Sequence, residues 1–143
     1  IDKLLAYTDL FISDIKLMDS NLHKKYTGVD NQKILNNLKQ LSKTEKEIIL
    51  RVPVIPTVND NLDNMKATAD FIANEMRGKV RTLQLLSFMR LGEEKYESLG
   101  LPYNMRELNF DRVEFQKRVD DIAEYFNKQG IHCLVGTKEK GAV

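Results

Sequence analysis

Glu47-Ile48-Ile49-Leu50-Arg51-Val52-Pro53-Val54 is a near-continuous apolar run closed by Pro53 and, two residues on, by Pro56. It is too short for a typical helix and rich in β-branched residues. It reads as a strand buried on both faces, as in a parallel sheet, finishing at prolines that cannot donate to a ladder. Arg51 is the one charge inside the run. A guanidinium in such a setting must be paired or must meet a ligand, because leaving it buried and unpaired is strongly unfavourable.

Working outward, Leu10 to Ile15 (LFISDI) is a second short β-rich segment that ends in polar residues. Between the two strands lie a possible helical turn over Ser20 to Tyr26 and a segment with Ile34, Leu35, Leu38 and Leu41 at helical spacing, preceded by Asp30 as its predicted cap. Downstream, Leu62, Met65, Ala69, Ile72 and Met76 form one helical stripe, with Gly78 just past its end. Val80 to Ser87 is predicted as the third strand. Phe115, Val119, Ile122 and Phe126 mark a last helix stopped by Gly130, and Ile131 to Val135 a final short strand. Strands alternating with helices imply right-handed βαβ units and a parallel sheet within a single domain spanning residues 1–143. Two α/β architectures fit, an open doubly wound sheet and part of a (β/α) barrel. Four strands are few for either, so the chain is expected to be a piece of something larger. The edge of the Leu10 to Ile15 strand should then be open, or covered by a second copy or by the Ile1 to Thr8 segment.

Composition narrows the function. The chain has 143 residues, 42% hydrophobic, with 22 basic against 21 acidic side chains and a formal charge of +1. Nothing resembles a membrane span or a secretory signal, so a soluble, cytoplasmic protein is expected. The dispersed, balanced charge does not suggest a nucleic-acid groove. Cys133 is the only cysteine, so no disulfide, thiolate zinc site or iron-sulfur cluster can be assembled from this chain alone. It reads instead as a small core side chain. His23 and His132 lie in polar, separated contexts without ligand spacing and are expected at the surface.

In both architectures ligands bind at the carboxyl ends of the parallel strands. Asp14 and Lys16, two apart, project to one side there. With Arg51 they form either a set of ion pairs or an anion-compatible site. Pro56 to Asp60 is a turn able to present amides and carbonyls. Ser87 to Arg90 runs into the loop Leu91 to Asp111, which is long enough to cover a site or to face a partner. No glycine-rich phosphate loop and no catalytic nucleophile stand out.

Four strings in this order, YTDLFISDIKLMD, HKKYTGVDNQKILNNLKQL, EIILRVPVIPTVND and LQLLSFMRLGEEKYESLG, resemble the C-terminal half of glycyl-radical-enzyme activating enzymes. These are radical S-adenosylmethionine (SAM) proteins related to the pyruvate formate-lyase activating enzyme. The resemblance implies a partial, half TIM-like β/α barrel with parallel strands and an open edge. It also implies a cysteine loop for a [4Fe-4S] cluster upstream of Ile1, a glycyl-radical enzyme as partner, and an electron donor such as flavodoxin or ferredoxin. By motif, Asp14 and Lys16 match an Asp-x-Lys that contacts SAM, with Asp14 also near a monovalent cation. Arg51 matches a strand arginine near the methionyl end, and Leu86, Ser87, Phe88 and Met89 match the strand end that packs on adenine. Met89 stands where a histidine is usual and Pro56-Thr57 where a Pro-Gly turn is usual, which suggests a partner other than pyruvate formate-lyase, such as a choline or diol lyase. The short chain with its lone cysteine is then expected to be an inactive fragment that binds no cofactor by itself and can self-associate through its open edge. The alternative is a self-contained α/β module for an anionic metabolite.

Overall fold

In a computed structural model, residues 1–137 are described. Four parallel strands, β1 (Leu10–Asp14), β2 (Glu47–Val54), β3 (Thr82–Ser87) and β4 (Cys133–Val135), form one sheet in the order β1-β2-β3-β4. The connections carry α1 (Asp2–Leu5) ahead of β1, then α2 (Ser20–Thr27), α3 (Gln32–Leu41), α4 (Leu62–Asp70), α5 (Glu93–Ser98) and α6 (Arg112–Lys128). Each strand pairs with the next in sequence. Because parallel crossovers share one hand, an unreversed order keeps their helices on a single face. A doubly wound sheet instead reverses its order and covers both faces. The fold is therefore an arc of a β/α barrel with an open sheet, as the resemblance implies.

The alternation along β2 shows the same asymmetry. Ile48, Leu50, Val52 and Val54 are all 1% exposed or less. They share one core with Leu38 and Leu41 of α3, Met65 and Ala69 of α4, and Phe115, Val119, Ile122 and Phe126 of α6. Ile49, Arg51 and Pro53 face the other way and are only half-buried. The expectation of burial on both faces is thus corrected: helices cover one side, and the other is the concave side of an incomplete barrel. β1 ends the strand order, its outer edge has no strand beside it among the described residues, and Ile12 is 55% exposed.

Local chemistry sets the helix ends. The Asp111 carboxylate accepts from the Val113 and Glu114 amides to start α6, Asp19 accepts from Leu22 to start α2, and Gly28 closes α2 at φ 84°. Asp30 accepts from Gln32 N, but the cap position of α3 belongs to Asn31, one residue on. The predicted second long helix ends as an α-helix at Asp70 and continues as a π-helical turn over Phe71–Glu75, which closes on the Met76 N to Phe71 O bond. Three strands are shorter than predicted: β1 stops at Asp14, β3 starts at Thr82 and β4 at Cys133. The loop after β3 contains α5.

His23 corrects another expectation. It is 2% exposed, with Nδ1 2.7 Å from Val29 O and 3.0 Å from Thr27 Oγ1. The turn after α2 folds back over the ring, a contact that local polarity does not announce. His132 is exposed. Cys133 is buried, and desolvation pushes its thiol up to about 12. No helix among the described residues is long and apolar enough to cross a membrane.

Candidate functional site at the carboxyl ends of the strands

Asp14 and Arg51 are register partners on adjacent strands, so their side chains leave the sheet on the same, open face. Arg51 Nε donates to Asp14 Oδ1 at 2.9 Å, and Lys16 Nζ lies 3.4 Å from Asp14 Oδ2. The carboxylate is 26% exposed, the guanidinium 37% and the ammonium 49%. Two cations thus flank one carboxylate at the end of the sheet and leave a net positive charge open to solvent. A group carrying a carboxylate is the complementary ligand. Of the two readings left open by the sequence, the ion pairing is realised, with Asp14 as the counter-ion, and the part-exposed cations retain further donors.

The backbone that carries Lys16 has left the sheet and is held by buried carboxamides. Asn59, 1% exposed, accepts from Ile55 N at 2.7 Å and donates to Lys16 O at 2.8 Å and Pro53 O at 2.7 Å. Asn64 accepts from Met18 N at 2.9 Å and donates to Asn59 O at 3.3 Å. Asn31 donates to Leu17 O at 3.0 Å and to Met18 O at 2.8 Å. The adjoining Asp60 carboxylate accepts from Thr57 N at 2.9 Å and pairs with Arg118 of α6 at 2.8 Å. Sequence reading missed this lattice. Its signal was the Asn59-Asp60-Asn61 run after Pro56, but three carboxamides from separate segments converge only in the fold.

Residues 86–89 divide between two places. Leu86 pairs in register with Pro53, on the open face near Arg51. Ser87 donates to Gln116 Oε1 of α6 at 3.1 Å. Ser87, Phe88 and Met89 line a cleft of about 590 Å³ with Phe110, Arg112 and Phe115. Phe88 packs edge-on against Phe110 at 5.8 Å, and Phe110 against Phe115 at 5.2 Å. Met89 is 64% exposed. This cleft lies between the end of β3 and the start of α6, and it mixes aromatic edges with polar groups that include Arg90, Arg112 and Gln116. No group of three or more His, Cys, Asp or Glu side chains able to hold a metal ion occurs among the described residues.

With this geometry in place, the curated relatives fall into one class. The chain is 62% identical to the (2S)-3-sulfopropanediol dehydratase activating enzyme of Klebsiella oxytoca over 98% of its own length and 44% of that protein. It is 35% identical to a 4-hydroxyphenylacetate decarboxylase activating enzyme of Clostridioides difficile, over 94% of this chain and 42% of the relative. The chain is homologous to the glycyl-radical-enzyme activating enzymes. The Escherichia coli pyruvate formate-lyase 1-activating enzyme matches at 29% identity over 88% of this chain and 50% of that one. The chain spans about half the length of the curated activating enzymes it matches. Among solved structures, a domain of a pyruvate-formate lyase-activating enzyme from Bacteroides vulgatus superposes with a TM-score of 0.69 at 24% identity, over 95% of this chain and 72% of that one. That likeness supports the fold. No protein-family model matches the chain.

Proposed function

We propose that this chain forms the carboxyl-end half of the SAM site of a radical SAM enzyme that installs a glycyl radical on a partner enzyme. The observation that carries this reading is the Arg51–Asp14–Lys16 cluster on the open face at the carboxyl end of the sheet, in a chain 62% identical to an activating enzyme. The residues fit SAM by donor set. Arg51 and Lys16 supply cationic donors for its carboxylate, Asp14 accepts from ribose hydroxyls or holds a monovalent cation in place of Lys16, and Leu86 to Met89 border the adenine. When bound, SAM supplies hydrogen-abstracting chemistry directed at a backbone glycine. The residues do not fit the [4Fe-4S] cluster, because the sole cysteine is buried in β4. Its ligands belong elsewhere in the whole protein, and no step is assigned to this chain through it.

The partner is taken to be a dehydratase of the sulfopropanediol type, by analogy with the 62% relative. A flavodoxin or ferredoxin is the proposed electron donor and the cytoplasm the proposed location. SAM affinity in the full-length enzyme, measured calorimetrically, tests the site. Arg51→Met and Lys16→Met should each weaken binding by about tenfold or more, the scale of losing a charge-assisted hydrogen bond. Unchanged affinity in both variants would overturn the site. Retained binding of small carboxylates without recognition of the adenosine portion would instead establish an anionic-metabolite module.

A further inference from the structure

The segment from Lys16 to Met18 leaves β1 without a neighbouring strand to satisfy its backbone, yet its three carbonyls and the Met18 amide are taken up by side chains. Lys16 O accepts from Asn59, Leu17 O and Met18 O from Asn31, and Met18 N donates to Asn64. Ile15 N, just before it, donates to Arg51 O at 2.9 Å. Among the three carboxamides, Asn59 is singular. One Nδ2 group donates both to the carbonyl of Lys16, beyond β1, and to that of Pro53, two residues past Arg51 on β2. Its Oδ1 is fixed at the same time by Ile55 N at 2.7 Å, so every hydrogen-bonding group of the side chain is engaged and the amide cannot rotate without losing a partner. Asn59 hydrogen-bonds to none of the charged side chains in the cluster, but it ties Lys16 O to Pro53 O, beyond the last ladder bond between the two segments that carry the cations.

We propose that Asn59 is the positioning residue of the Lys16–Arg51 cation pair and that its effect is confined to the carboxylate-bearing end of the ligand. The inference rests on the SAM-site reading above. A lysine has a flexible stem, so its ammonium holds a defined place opposite Arg51 only if its backbone is held. Asn59 provides that hold, with Asn64 and Asn31 fixing the residues that follow.

The test uses the full-length enzyme and two probes, SAM and 5'-deoxy-5'-methylthioadenosine, which lacks the amino-acid carboxylate and ammonium. Asn59→Ala should weaken SAM by about tenfold, the effect of losing a buried pair of hydrogen bonds, and leave methylthioadenosine unchanged. In a Lys16→Met background the same substitution should have no further effect on SAM. If Asn59→Ala folds poorly, Asn59→Ser serves. Its shorter hydroxyl cannot span both carbonyls, and it should show the same selectivity with a smaller loss. Equal weakening of both probes, or full additivity with Lys16→Met, overturns the positioning role and leaves Asn59 as a structural residue. An unaltered SAM affinity in both Lys16→Met and Arg51→Met, without the Asn59 substitution, would instead defeat the site reading on which this rests, so the two failures are distinguishable.

Discussion

The two faces of β2 differ more than the two ends of the molecule. On one face Ile48, Leu50, Val52 and Val54 are sealed under three helices, and on the other Ile49, Arg51 and Pro53 meet a half-open concave surface. Stability therefore resides on the helix side and the proposed ligand site on the open side, within one strand whose side chains alternate between the two. A charged residue can sit at the centre of so apolar a segment because its own side faces a counter-ion and water rather than the core. The contrast makes predictions that separate the two faces.

The largest effect is expected at Cys133, which pairs in register with Leu83 on the sealed face. Its thiol is held near 12 by burial, above the value of an unfolded cysteine, so the neutral form is favoured in the fold. The associated stability is fully present below about pH 9 and is lost as pH rises through about 12, by up to about 4 kcal/mol at roughly 1.4 kcal/mol per pH unit. Urea titrations at increasing pH should show this loss, and Cys133→Ala should remove the thiol's share of it, leaving a shallower dependence from tyrosines and lysines that titrate in the same range. A thiol reagent that modifies the native protein at pH 8 as fast as the unfolded chain would place Cys133 outside the core.

Next come paired truncations on the two faces. Leu50→Ala should cost about 3 kcal/mol, and Ile49→Ala about 1 kcal/mol or less, because only the first opens a cavity. Equal costs in chemical denaturation would mean that the open face is covered in solution.

Thr57 should act in the opposite direction. It adopts φ 65° immediately after Pro56, a left-handed conformation unfavourable for a β-branched residue. It is tolerated because Thr57 N is bonded to Asp60, which is itself paired with Arg118. Thr57→Gly should stabilise the fold by about 1 kcal/mol, the strain relief exceeding the entropy that glycine adds to the unfolded chain. A loss of stability would show that the strain is already relaxed.

The smallest change in stability is expected at Ile12, 55% exposed on the bare edge strand. Ile12→Lys should alter stability by less than about 0.5 kcal/mol. If β1 pairs with a second copy, the lysine should shift sedimentation to the monomer. A protein that is already monomeric without the substitution removes self-association from the account.

Much of the architecture was legible because hydrophobic period reports burial directly. The stripe of α4 and the core of α6 are long enough for the pattern to be unambiguous, and the apolar run of β2 announced a strand without telling which face stays open. The three-residue β4 and the start of β3 were less sharply defined, since a short strand carries few alternations. The π-helical turn after Asp70 escaped notice because one extra residue per turn hardly alters a stripe of apolar side chains. At the site, Asp14, Lys16 and Arg51 were legible as charges at strand ends. His23 was misjudged because its burial depends on a turn six residues away.

From its residues alone, the chain is committed to parallel βα units and to an unusual charge within a buried strand. Both follow from short-range pattern, where side-chain polarity and the period of the backbone suffice. Tertiary structure alone decided that the units wind in one direction, that one face of the sheet stays open, and that Asn31, Asn59 and Asn64 converge on the backbone beside Lys16. Those outcomes depend on contacts between segments far apart in sequence, and a carboxamide shows no preference for its eventual partners until the fold brings them within hydrogen-bonding distance.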